Sequence, residues 1–118
     1  MPEAVKTTAD YKVGTKDVFL SLEIGKGQTG TTEVLLGTKP IVTASGDIGS
    51  LFIGTGAELV GKKLNGRSII NDVMSAHNDM SVEYQLRGGT RAQNFDAEGS
   101  VPTNGMPLRF RATFTFTE

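Results

Sequence analysis

The single histidine of this 118-residue sequence, His77, stands in the run NDVMSAHNDM (71–80), close in sequence to Asp72, Ser75 and Asp79. An imidazole beside a hydroxyl is the pairing used in nucleophilic catalysis, with the ring as general base on the serine. An imidazole beside two carboxylates is part of a metal shell, which makes Asp72, His77 and Asp79 a candidate cation site. Neither set is complete. No nucleophile turn surrounds Ser75, and a transition metal would want a second imidazole or a thiolate. Asp72 and Asp79 alone would suit calcium, but their spacing is not that of an EF-hand loop. The plainer expectation is that these Asp and Asn side chains cap a turn by accepting from nearby backbone N–H groups.

A second motif, GAELVGKK (56–63), nearly spells a phosphate loop. Gly56, Gly61 and Lys62 fit G-x-x-x-x-G-K-[ST], and then Lys63 stands where a Mg²⁺-binding hydroxyl belongs. A phosphate loop also needs a helix whose N-terminus starts there. Here Leu64-Asn65-Gly66 follows, and Asn-Gly is a hairpin-turn pair. The expectation is a turn or one helical turn leading into an Asn-Gly hairpin, with no cofactor. GKGQTGTT (25–32) likewise has no helical pattern behind it and reads as a mobile hairpin tip.

Arginines form a third group. Arg109 and Arg111 flank Phe110, while Arg87 and Arg91 bracket Gly88-Gly89. If the two segments were neighbours, four guanidinium groups would share a face suited to an anion or RNA. A solvated strand face is the ordinary alternative. The polar stretch GGTRAQNFDAEGSVPTNGMP (88–107) is long enough to be a functional loop. Arg87, Arg91, Gln93, Asn94, Asp96 and Glu98 are therefore the candidate ligand- or partner-binding residues. The competing expectation is an irregular edge strand over 91–97 followed by a connection.

The elements that must hold these residues are strands. In VFLSLEI (18–24), MSVEYQLR (80–87) and LRFRATFTFT (108–117), apolar side chains fall on every second position. That alternation buries one face of a strand and leaves the other wet. TEVLL (32–36), PIVTA (40–44), GSLFIG (49–54) and RSIINDVM (67–74) are further strands. Turn signals at Gly25–Gly30, Ser45-Gly46-Asp47, Asn65-Gly66, Gly88-Gly89 and Asn104-Gly105 separate them. Seven or eight short strands, with no sustained helical period, predict an all-β fold: an antiparallel β-sandwich, immunoglobulin-like or jelly-roll. Residues 1–10 read as a flexible polar arm and 11–118 as one domain, whose last strand belongs to the core.

Composition narrows the function. With no cysteine there are no disulfides, thiolate sites or cysteine nucleophiles. Twelve basic and thirteen acidic residues give a net charge of −1, so no field draws in nucleic acid. No apolar run is long enough for a membrane span, and no signal peptide opens the chain, which would make it cytoplasmic or the mature form of an exported protein. The expected function is a noncatalytic module for protein binding or structural assembly, its partner another protein or a second copy of itself. A carbohydrate- or small-ligand-binding domain is the alternative, limited by the absence of Trp. A small hydrolase built on His77 and Ser75 is the third.

Overall fold

The computed structural model describes residues 4–74 and 76–118; Ser75 lies outside them. Among the described residues nine strands run in chain order: β1 (Val5–Lys12), β2 (Asp17–Gly25), β3 (Thr29–Leu36), β4 (Lys39–Ser45), β5 (Ile48–Thr55), β6 (Lys63–Asn71), β7 (Asp79–Arg87), β8 (Gln93–Ser100) and β9 (Pro107–Thr117). One helical turn, α1 (Gly56–Leu59), sits between β5 and β6. The strands build a five-stranded sheet, β1-β9-β6-β3-β4, and a four-stranded sheet, β5-β2-β7-β8. The all-β sandwich expected from the alternating segments is what the chain forms. Every pairing is antiparallel except β1 with β9, which is parallel.

Period two explains why the sheets close on each other. Val18, Leu20 and Leu22 of β2, Met80, Val82, Tyr84 and Leu86 of β7, and Leu108, Phe110, Ala112, Phe114 and Phe116 of β9 all turn into one core. Their alternate neighbours face water, since successive Cβ atoms point to opposite sides of a strand. Ring contacts stitch the interior together: Tyr84 lies edge-on to Phe114 at 5.5 Å, and Phe95 meets Phe114 at 4.9 Å. Such pairs contribute about 0.5–1.5 kcal/mol beyond area burial.

Four expectations need correction. The arm expected over residues 1–10 is, from Val5 onward, strand β1, with Val5 and Ala9 packed on the core and Tyr11 fully within it. Its inward set is weakly apolar, so the alternation is faint. Asn65-Gly66 is not a hairpin turn but the middle of β6, opposite Leu35 and Val34 of β3. Backbone pairing on both sides overrides the local turn preference there. The loop over 88–107 contains β8, an edge strand, which is the competing reading of that stretch. GKGQTG is no hairpin tip either, because β2 and β3 belong to different sheets and the segment arches between them, burying Gln28.

Candidate functional site

The His77 region resolves into a structural knot at one end of the sandwich. The Gln28 side chain donates from Nε2 to Asp72 Oδ1 (2.9 Å) and to the Asp79 carbonyl (2.9 Å). Its Oε1 accepts from the Val73 and Met74 backbone N–H groups at 2.7 and 3.3 Å. The other carboxylate oxygen of Asp72 accepts from Gly105 N–H at 3.1 Å. Three inter-sheet connections, β2–β3, β6–β7 and β8–β9, are thereby tied together by two buried side chains. Asp72 does reach a backbone N–H, but one more than thirty residues away instead of a near neighbour. His77 Nδ1 accepts from the Asp79 N–H at 3.2 Å, capping its own turn. Among the described residues no three His, Cys, Asp or Glu side chains are grouped closely enough to hold a metal ion.

The near-phosphate-loop motif is local scaffolding. Thr55 Oγ1 accepts from Glu58 N–H to cap α1, and Gly61 takes the left-handed backbone (φ 83°) that ends the turn. A side chain at Gly56 would collide with the Gly14 carbonyl. The chain then enters β6 at Lys63, so no helix follows the motif.

The four arginines do not share a face. Arg109 and Arg111 project from β9 of the five-stranded sheet, Arg87 from β7 of the other, and Arg91 sits in the bend before β8. Of the candidate partner-binding set, Arg87, Asn94, Asp96 and Glu98 point outward from the four-stranded sheet. Gln93 pairs with inward Leu86 and so takes the opposite side of β8. Arg91 contributes its carbonyl, which accepts from Tyr11 Oη at 2.8 Å.

What the sequence reading missed lies beside Arg87. Phe19 of β2 pairs with Phe52 of β5 on one side and Arg87 of β7 on the other, forming an outward row across three strands. The rings are 5.8 Å apart, and Phe52 is 51% exposed where a sheet's outer face ordinarily carries polar groups. Arg87 is fixed in this row by donating from Nη2 to Ser21 Oγ (3.2 Å) and to Ser50 Oγ. Ser50 holds a left-handed backbone, φ 44°, within an irregular stretch of β5, while its N–H reaches Ser21 Oγ. A non-glycine residue at that φ is uncommon, and here its hydroxyl accepts from the Arg87 guanidinium. Phe19 stood out of phase in VFLSLEI, and that misplaced aromatic was the available signal.

Farther along the same outer face the character changes. Glu23 pairs with Glu83, and Glu83 with Asp96, placing three carboxylates abreast. They border a shallow depression of about 220 Å³ that Glu98 and Lys26 also line. The sheet face thus joins an aromatic–arginine row to an acidic one.

Fold and face together define a class: an antiparallel-dominated β-sandwich with a patterned outer surface on its four-stranded sheet. No particular protein can be set beside it, for no family model, no curated protein and no solved structure matches the chain.

Proposed function

We propose that the chain is a noncatalytic binding or structural-assembly module that docks a protein on its four-stranded sheet. Immunoglobulin-like domains use a rigid sandwich to present a partner surface in the same general way. The observation that carries this reading is the Phe52–Phe19–Arg87 row. Aromatic residues and Arg are the side chains enriched where protein partners lose their water, and this row is held rigid before any partner arrives. The carbohydrate alternative draws less support, because Tyr11 and Tyr84 are both in the core.

A photo-crosslinking residue at position 52, compared with one at Thr38 in the exposed turn between β3 and β4, tests the proposal in cell extract. The expected result is a discrete protein adduct from position 52 alone, lost on Arg87→Ala. Equal labelling from both positions, or none from 52, would overturn it.

A further inference from the structure

The two outer faces of the sandwich carry opposite charge in matching rows. On the five-stranded sheet, Lys6 of β1 lies beside Arg111 of β9, and Arg111 beside Arg67 of β6. Lys12, Lys63 and Arg109 occupy outward positions on the same strands, against Asp10 and Glu33. Glu33, the cross-strand neighbour of Arg67 on β3, approaches it to only 3.9 Å with the Arg67 side chain 63% exposed, so the pair offsets one end of the row weakly. Exposed Ile69 and a groove of about 280 Å³ adjoin Arg67, Arg109 and Arg111. On the four-stranded sheet, Glu23, Glu83 and Asp96 form the counterpart, with Glu98 and Asp79 beside them and Lys26 and Arg87 as the opposing charges.

Each row sets like charges directly opposite one another on neighbouring strands, an arrangement that destabilises an isolated sheet. Both rows have the pitch of backbone pairing, about 4.8 Å per strand, so three cations meet three carboxylates in step when one face lies on the other. The molecule measures 45 × 21 × 20 Å, which gives each face a footprint on the order of the ~800 Å² per partner of a stable interface.

We infer that the partner is a second copy of this chain, docked with the Lys6–Arg111–Arg67 row of one molecule on the Glu23–Glu83–Asp96 row of the next. The inference rests on the proposed protein-docking role of the four-stranded sheet and names its occupant. Because the two surfaces differ, the contact is heterologous: each copy offers one free face of each kind, and addition continues until a ring closes or an open row grows.

Sedimentation velocity and light scattering of the purified chain, over a range of concentration and salt, provide the test. Mass is expected to rise with concentration in about 0.01 M salt and to fall back in about 1 M, as the Debye length shrinks from ~30 Å to ~3 Å. Lys6→Glu/Arg67→Glu/Arg111→Glu leaves both faces acidic, and Glu23→Lys/Glu83→Lys/Asp96→Lys leaves both basic. Each triple variant, checked for fold by circular dichroism, is expected to self-associate at least about tenfold more weakly than the parent, and a mixture of the two to associate again. A parent chain that stays monomeric at low salt, or one whose association ignores both reversals, would overturn the inference. A monomeric parent whose position 52 still captures a different protein would leave the docking role standing and remove only the second copy. A variant that fails to fold is replaced by the single Arg111→Glu or Glu83→Lys exchange, which must shift the association in the same direction.

Discussion

The two ends of the sandwich are closed by different chemistry. At the end where β2 passes to β3, three connections hang on a polar knot, Gln28 with Asp72, both buried and both multiply bonded. At the opposite end, the bend after β7 is held by one phenol and by a backbone bond from Thr90 N–H to the Lys12 carbonyl at 3.0 Å. Tyr11 Oη accepts from Gly89 N–H at 3.0 Å and donates to the Arg91 carbonyl, while its ring packs edge-on against Phe116 at 6.4 Å. The first device is nearly all hydrogen bonding, the second mostly apolar burial with a polar tip. A buried polar network is costly when broken, since each orphaned group keeps its full desolvation penalty. An aromatic strap loses only its tip when the hydroxyl goes.

Gln28→Ala should therefore have the largest effect. It strands Asp72 Oδ1, the Asp79 carbonyl and two backbone N–H groups, at a cost of about 3 kcal/mol after water repairs the exposed part. A thermal melt lowered by more than about 10 °C is the expected outcome. A loss no larger than that of Tyr11→Phe would erase the distinction between the ends. Tyr11→Phe, which keeps the ring and removes two hydrogen bonds, should cost about 1–2 kcal/mol by denaturant titration.

Tyr84→Phe sharpens the comparison from the other side. The Tyr84 hydroxyl is buried mid-core with no hydrogen-bond partner among the described residues. Removing it should be neutral or stabilising by up to about 1 kcal/mol. Burial also pushes its phenol well above the ordinary value of 10.0. A raised folded-state pKa means the unfolded chain releases this proton first as the solution turns alkaline. The contribution of Tyr84 to stability is thus intact below pH 10 and declines above it, so the advantage of the Phe variant should widen there in melts taken across that pH. An advantage that stays flat would contradict the buried phenol.

The same contrast explains what sequence could reveal. β2, β7 and β9 were legible because their apolar positions are strongly hydrophobic, as in Val18-x-Leu20-x-Leu22. β8 was half legible, with only Phe95 and Ala97 between polar residues, and the inward side of β1 includes Thr7. The Gln28–Asp72 knot was invisible because its members lie 44 residues apart: Asp72 stands out only beside His77, and Gln28 not at all. The arginine grouping failed for a topological reason: alternation says which side of a strand a residue takes, not which sheet the strand joins. The charged rows share that origin. Lys6, Arg67 and Arg111 are scattered in the chain, and only the strand order β1-β9-β6 lines them up.

Strand β1 has a consequence for how this chain becomes a protein at all. It is an edge strand whose neighbour is β9, so Val5 comes to rest beside Phe110 and Lys12 beside Thr117. During synthesis the earliest strand must wait for the latest, and β6 waits with it for its second partner. The β6-β3-β4 part can pair early, but completion of the larger sheet is deferred until β9 has emerged. Closure over so long a loop is slow, and the interval leaves β6 with an unfilled edge, a hazard that chaperones exist to cover.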